Sequence, residues 1–585
     1  MSSNRRIIYE FGPFRLDSVR RLLARDGEAV PLTPKTFDLL LTLVQNRGQT
    51  LSKEELLRRI WPRTAVEESN LTQNIFVLRK ALGETPGDHF FIVTVPGRGY
   101  RFVAPVRELE EGENSRAEWA GDGNGPNRGA VTMAVLPFKS IDRQAGEEYW
   151  GPGLAGSLIN RLNRLRAIVA RPITSVLRYA DAGQSPQDAG RELGVSAVLD
   201  GTVQRAGESI RVNVELIRVN DGVTLWAGQF DDRLTDIFGT QDAISEQVVR
   251  ALSVELTGEE RGRLTSRDTD DGEAYRLYIK GRFFWDQRTR RGLLKGAEYA
   301  ERALALDPNY VRAYVGVADS YLLLGEYLHL PPAEAFPRAK GAALRALELD
   351  DSPAEAHASL AEVLFFYEWD WARAEEEYRR ACALNPRYAS AHHWYAWFLM
   401  AQTRFDEALA EVSLAQKLDP GSLTLATTTG LPYYFRREYE RAAERYREAL
   451  EMEPGFTLAH YYLGAALLQL GSYGEAVSSL RKVKAVDYQQ QVTAQLGCAY
   501  ARAGRRAEAL GALRELRAMR RRGYVSPYME ALVYAALGEK EEALGWLERA
   551  HGERAPWMVF LRVEPCFDAL RSEPRFRRLV EQLWG

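Results

Sequence analysis

The 585-residue chain has three cysteines, seven histidines and no long apolar run. Cys382, Cys498 and Cys566 stand far apart in a half that reads as helical, so they build no disulfide framework and are expected as buried thiols. Nothing approaches the ~20 consecutive apolar residues that a membrane span needs. The densest aromatic block, residues 391–401, is too short and contains two histidines. Residues 1–9 are polar and basic, so no secretory leader is expected and the expected location is cytoplasmic, with no membrane partner.

The usual signatures of chemistry are missing too. No Cys-x-x-Cys, Gly-x-Ser-x-Gly or phosphate-loop pattern occurs, and the adjacent His392 and His393 point in different directions on a helix, where a shared metal needs i, i+4 spacing. Gly151, Gly153 and Gly156 spell a dinucleotide fingerprint. They do not directly follow a strand, however, Pro152 interrupts the turn, and Arg171 rather than an acid lies ~20 residues on. A turn and a close helix–sheet contact account for them better. No catalytic residue, metal or cofactor is expected, and the chain reads as a non-enzyme.

Composition is that of an ordinary folded protein, 45% hydrophobic and 27% charged, and the length calls for several domains. The net charge of −3 is unevenly spread. Residues 1–105 carry a local +5 and residues 107–130 a local −3, so the basic part is confined to the amino-terminal hundred residues, where counterion release would favour nucleic acid.

Within that basic part, residues 68–82 read as a helix. Leu71, Ile75, Leu78 and Leu82 recur at i, i+4, i+7 and i+11, one apolar stripe. Ser69, Gln73, Phe76 and Lys80 fall on the opposite side, flanked by Thr72 and Val77. An amide, apolar groups and a cation there suit base edges, thymine methyls and phosphate in a major groove. A β-rich run at 90–95, a glycine turn at 96–99 and a second run at 100–103 then make a hairpin with Arg98 at its tip.

Helix, hairpin and the Val-Pro-Gly-Arg-Gly-Tyr-Arg-Phe ending at 95–102 closely resemble an OmpR/PhoB-type winged helix-turn-helix, in particular its membrane-sensor branch. Short β-like runs between residues 7 and 32, a helix opened by Thr33 and Pro34, and a capping box at Ser52 and Glu55 fit the same domain. The resemblance implies that Thr72, Gln73, Phe76 and Val77 face the bases. It puts Trp61, Asn74, Arg79 and Lys80 where relatives touch the backbone, and Arg98 at the wing. Many relatives carry arginines where this chain has Phe76 and Val77, so its target is expected to depend less on guanine. With only residues 1–6 before the first strand, no receiver domain is expected, and phosphorylation of an upstream aspartate is not the expected switch.

Residues 107–130 are acidic and glycine-rich, a flexible linker in the place where the membrane-sensor branch has its transmembrane helix. From 131 to 235, strands alternate with helices, an α/β layer closed by a hairpin around Asn220, Asp221 and Gly222. Its Ala-Val-Leu-Pro-Phe opening and Val198-Leu199-Asp200-Gly201 segment resemble the amino-terminal domain of TolB, a binding module. Residues 236–270 read as a helical connector.

The remainder, 271–585, repeats. Pro386, Pro420 and Pro454 are 34 residues apart, as are Ala408, Ala442 and Ala476, and Ala396, Gly430 and Gly464. This period, with small residues at helix contacts, resembles tetratricopeptide repeats, roughly eight of them, with an insertion near 328–336 and a capping helix near 570–583. On that template His393, Trp397, Met400, Tyr434 and Tyr461 line a concave, apolar partner-binding groove. The expected architecture is therefore multidomain α+β: a winged helix-turn-helix at 1–106, a linker, a small α/β domain and an all-α tetratricopeptide-repeat solenoid.

The expected function is a one-component transcription regulator that binds double-stranded promoter DNA, as a possible homodimer on direct repeats, and senses a protein or peptide on its repeats. The alternative is a repeat-based scaffold whose winged helix mediates protein contacts. An enzyme reading rests only on the occurrence of similar carboxy-terminal halves beside catalytic modules.

Overall fold

The computed structural model describes residues 7–17, 22–25, 28–30, 32, 34–60, 71, 74–75, 78–79, 81–82, 84, 91–95, 98–104, 106–110, 130–141, 149–165, 167–180, 184–206, 209–233, 237–252, 254, 256–265, 268–483 and 488–585. It divides into two compact units, residues 1–129 and 130–585.

In the first unit, β1 (Ile7–Phe11), β2 (Phe14–Asp17), β3 (Leu22–Arg25) and β4 (Glu28–Val30) form an antiparallel meander. A fifth strand, β8 (Arg107–Glu110), pairs with the free edge of β1. Residues 107–110, expected in the linker, thus belong to this sheet. Their acidic composition concealed the strand because an open sheet edge is satisfied by main-chain groups whatever the side chains. Helices α1 (Pro34–Gln45) and α2 (Lys53–Ile60) follow, the latter capped by Ser52 Oγ accepting from Glu55 N (3.1 Å). The helix α3 is described at Leu71, Asn74, Ile75, Leu78, Arg79 and Ala81. A second sheet, β5 (Thr50–Leu51), β7 (Gly99–Phe102) and β6 (Ile92–Val95), carries the wing. Gly99 is required there: at φ 142° any Cβ would lie 1.9 Å from Leu51 O across the β5–β7 pair. Leu71, Ile75, Leu78 and Leu82 all reach the core, where Phe11 meets Phe102 edge-on at 5.1 Å. In α1 the buried stripe runs through Phe37, Leu39, Leu40, Leu43 and Val44, and Leu41 is half-exposed.

The second unit opens with a mixed sheet. Strand β9 (Val131–Val135) runs parallel to both β11 (Ile168–Ala170) and β12 (Ala197–Ala206), while β12, β13 (Ser209–Arg218) and β14 (Thr224–Arg233) are antiparallel. A short β10 (Lys139–Ser140) extends it. Helix α4 (Trp150–Leu162) lies on the sheet, followed by the short α5 (Ile173–Val176) and α6 (Pro186–Glu192). Two glycines of the false fingerprint, Gly151 and Gly153, serve close approach. A Cβ on Gly151 would lie 1.8 Å from Phe138 O, and one on Gly153 would lie 1.9 Å from Ile279 Cγ2.

Helices α7 (Ile237–Ala251) and α8 (Gly258–Thr265) occupy the expected connector. They belong to the α/β layer: Arg161 of α4 ion-pairs with Asp242, and Ser157 Oγ donates to Gln241 Oε1 (3.0 Å).

Eight helix pairs follow among the described residues: α9 (Gly272–Asp286) with α10 (Arg290–Leu306), α11 (Val311–Glu326) with α12 (Pro332–Leu349), α13 (Ala354–Val363) with α14 (Trp371–Leu384), and α15 (Ala389–Ala401) with α16 (Phe405–Leu418). In the fifth pair the first helix is split into α17 (Leu423–Thr428) and α18 (Leu431–Phe435) before α19 (Tyr439–Met452). The split follows from Pro432, which lacks an N–H and whose ring crowds the carbonyl four residues back. The last three pairs are α20 (Thr457–Gln469) with α21 (Tyr473–Arg481), α22 (Gln489–Arg502) with α23 (Arg506–Arg520), and α24 (Pro527–Leu537) with α25 (Lys540–Gly552). Each pair turns through one left-handed residue: Arg288, Leu328, Trp369, Thr403, Arg437, Gly471, Gly504 and Gly538. From Trp369 to Gly471 these stand 34 residues apart. Only three are glycine, which is why this marker of the repeat is inconspicuous in the sequence.

The array turns back on itself. Two 3-10 turns, Pro556–Phe560 and Pro565–Leu570, enter its inner side before the capping helix α26 (Pro574–Trp584). Trp557 Nε1 donates to Glu326 O (3.3 Å), Trp371 Nε1 donates to Leu583 O (2.6 Å), and the Trp371 and Trp584 rings stack at 5.1 Å. The cap thus starts four residues later than expected. The α/β layer and the array, expected as separate domains, share one core. Ala303, Tyr310 and Ala313 join the α/β cluster, Arg387 donates to Ile168 O (2.8 Å), and Ser175 and Thr174 both bond Asp419.

Candidate nucleic-acid interface and the inner face of the array

In the winged unit the buried stripe of α3, Leu71, Ile75, Leu78 and Leu82, fixes the helix against the core. Of the nine residues expected at DNA, Trp61, Thr72, Gln73, Phe76, Val77 and Lys80 lie outside the described residues. Arg98 is exposed at the tip between β6 and β7, its backbone N–H closing the turn onto Val95 O (3.0 Å). Its guanidinium makes no hydrogen bond or ion pair among the described residues, so it is available to a phosphate or a minor groove.

Arg79 and Asn74, expected at the DNA backbone, also make contacts within the winged unit. Arg79 Nη2 donates to Ile92 O (2.9 Å) and Thr94 Oγ1 (2.8 Å), and its Nε lies 3.5 Å from Glu84 Oε2. The Glu84 side chain, 1% exposed, in turn accepts from the N–H groups of Phe91 (2.6 Å) and Ile92 (3.1 Å). Arg79 therefore fastens the helix to the first wing strand through a buried carboxylate. Asn74 is half-buried, and its Oδ1 accepts from Thr36 Oγ1 (2.9 Å) on α1. Both residues hold α3 in place. The sequence signal for this pairing was Glu84 itself, a carboxylate just past a helix end and just before an aromatic strand.

Along the expected concave groove, part of the inner face is covered. Met400 and Tyr434 are buried, and Phe560 from the first 3-10 turn packs on the inner face, 5.4 Å from Phe435, 5.5 Å from Trp397 and 6.1 Å from Phe365. The surface assigned to a partner is filled there by the chain's own carboxy-terminal segment. His393, Trp397 and Tyr461 instead line a cavity of about 1570 Å³ inside the second unit. The Trp397 indole donates to His393 Nε2 (3.0 Å), and burial, with Arg288 nearby, lowers that imidazole to about 4, keeping it neutral.

One further cluster escaped the sequence reading. Cys382 Sγ and Glu411 Oε2 lie 3.7 Å and 2.6 Å from His392 Nδ1, a grouping whose donor atoms are close enough for a metal ion. The repeat supplies another account. His392 Nε2 bonds Pro386 O (3.1 Å), His460 Nε2 bonds Pro454 O (2.9 Å) and His357 Nε2 bonds Asp351 O (2.9 Å). In each, Nδ1 faces the second helix of the pair, at Glu411, Ser479 and Glu377 respectively. The imidazole is a recurrent clasp between a helix and the turn before it. His392 keeps the clasp charged: burial opposes the imidazolium, but Cys382 and Glu411 outweigh it and raise the group to about 10.

Residues 27–102 match the family model described as transcriptional regulatory protein, C terminal. The amino-terminal domain is an OmpR/PhoB-type winged helix. Residues 129–247, the stretch expected to be TolB-like, match the second domain of HilA/YgeH-like transcriptional regulators, and 364–422 and 428–489 match tetratricopeptide repeats. Among curated relatives, the transcriptional regulator HilA of Salmonella typhimurium is 23% identical over 72% of this chain and 71% of its own length. The transcriptional activator CadC of Escherichia coli is 39% identical over 16% of this chain and 18% of its own length. A putative adenylate cyclase of Rhizobium meliloti is 30% identical over 43% of this chain, which spans only 42% of that relative. Among the described residues no helix is long and apolar enough to cross a membrane.

Proposed function

We propose that the chain is a transcription regulator in which the winged helix reads promoter DNA and the α/β-plus-repeat unit receives the signal. The observation that carries this reading is the winged helix itself, with a buried stripe behind α3 and an unengaged arginine at the tip of its wing. HilA supports the arrangement because its likeness covers 72% of this chain, far more than the winged unit alone. Base reading falls to Thr72, Gln73, Phe76 and Val77, with Lys80 and Arg98 toward phosphate and two copies on direct repeats. Because residues 556–570 cover part of the inner face, a protein partner docks on the outer faces or edges of the array. The likeness to an adenylate cyclase is confined to part of each chain and brings no cyclase activity with it.

The test is a gel shift of the full chain against genomic fragments at two salt concentrations. Binding that favours particular fragments and weakens steeply with salt supports the reading. Absence of retardation at either salt concentration refutes it, and replacing Gln73 or Thr72 should change which fragment is preferred.

A further inference from the structure

Inside the superhelix, three acidic or amide side chains at the cavity wall are incompletely hydrogen-bonded among the described residues. Glu326 ends α11 and borders the cavity, where its carboxylate makes no hydrogen bond or ion pair among the described residues. Glu362 of α13, 1% exposed, takes one hydrogen bond from Tyr378 OH (2.6 Å). Gln491 of α22, also 1% exposed, lines the same cavity, and its Oε1 has no partner. The nearest cation, Arg288, is held over the Trp285 ring at 3.6 Å and reaches neither glutamate as an ion pair. Burial pushes Glu326 up to about 7, and burial together with the neighbouring Glu326 raises Glu362 well above the ordinary carboxylate range. Two uncompensated carboxyls and an orphaned amide oxygen at the wall of a large cavity are costly unless something supplies hydrogen-bond donors. Tyr462, Tyr488 and Trp397 also line that wall, and aromatic rings attract a cation through their faces.

We propose that this lumen is a ligand site for a small organic ammonium ion, whose N–H groups are taken by Glu326, Glu362 and Gln491 and whose body lies among Tyr462, Tyr488 and Trp397. An amine carries the donors that these oxygens lack, and its charge is balanced by the acid pair. The volume, about 1570 Å³, exceeds what one small molecule fills, so the site occupies only the repeat end of the cavity. The inference is independent of the DNA reading, because it concerns the second unit alone.

The experiment is calorimetric titration and thermal melting of the full chain with phenethylammonium, its trimethylated analogue and the isosteric anion 3-phenylpropanoate. Phenethylammonium is expected to bind and raise the melting temperature, the trimethylated analogue to bind at least tenfold more weakly for want of N–H donors, and the anion not to bind. Glu326→Gln and Glu362→Gln should each weaken phenethylammonium at least tenfold. Binding of 3-phenylpropanoate in preference to the amine would overturn the proposal, as would no response to phenethylammonium or unchanged affinity in a folded Glu326→Gln variant. The comparison of amine with anion uses the parent chain, so a variant that fails to fold leaves the outcome decisive.

Discussion

Phe560 and Phe435 lie face to face, ring centroids 5.4 Å apart and planes within 3° of parallel, although 125 residues separate them in the chain. The contact plugs a solenoid with its own tail. Arg437, beside Phe435, locks the same segment from outside: Nη1 donates to Val563 O (2.5 Å), and Nε and Nη2 grip Asp568 (3.2 and 2.7 Å). Phe560 is 2% exposed, so Phe560→Ala should cost about 3–5 kcal/mol through the cavity it leaves. Because repeat arrays open locally, the loss should be concentrated near its site. Amide exchange should accelerate in residues 555–584 and hardly change in α9 and α10. Uniform acceleration would show instead that the tail is integral to the whole array.

The left-handed turns give a second prediction. Thr403 adopts φ 62°, a region that β-branched residues strongly disfavour, and its exposed side chain makes no hydrogen bond among the described residues. Glycine fills the equivalent place at Gly471, Gly504 and Gly538. Relief of the backbone clash, less the added freedom of the unfolded glycine, should make Thr403→Gly more stable by about 0.5–1 kcal/mol. Urea unfolding reads this directly, and a lowered midpoint would mean that Thr403 has a role its geometry does not reveal.

The repeats and the stripe of α3 were legible because both are periodic. Pro386, Pro420 and Pro454 each follow the second helix of a pair, and Leu71, Ile75, Leu78 and Leu82 all point inward. What could not be read was long-range. Nothing near Met400 or Tyr434 announces that a segment beginning at 556 will cover them, and nothing near Tyr310 announces that it completes the α/β core. The bracing contacts of Arg79 and Asn74 were hidden for a different reason. A polar residue beside a recognition surface can face DNA or brace the helix, and only the positions of Glu84 and Thr36 decide between these. Strand β8 was missed because edge pairing draws on the backbone and leaves no pattern in the side chains.

His392 supplies a pH signature. Its folded-state value, about 10, lies above the ordinary 6.5, so the charged clasp contributes in full below about 6.5. The contribution falls as pH rises between those values and is gone above about 10. His392→Gln keeps a hydrogen-bonding side chain but cannot carry the charge. The melting temperature of the parent should therefore exceed that of the variant most near pH 6.5, and the gap should close toward pH 10. A gap independent of pH would mean that the imidazole acts through its shape and its bond to Pro386 O alone.

Arg98 and Arg79 should separate by what their loss does. Arg98 is exposed and unengaged, so Arg98→Ala should leave the melting temperature of the winged unit unchanged. It should weaken binding to every duplex alike and reduce the slope of log affinity against log salt by ~1, the mark of one phosphate contact removed. Arg79→Ala strips the buried Glu84 carboxylate of its cation and frees the helix from Ile92 and Thr94. That should lower stability by ~1–3 kcal/mol and weaken DNA binding chiefly by loosening α3, with the salt slope of the remaining folded molecules nearly preserved. Melting curves beside salt titrations on the two variants distinguish the roles. A reduced slope with unchanged melting in Arg79→Ala would return that residue to the phosphate backbone, and no change of slope in Arg98→Ala would take the wing off the DNA.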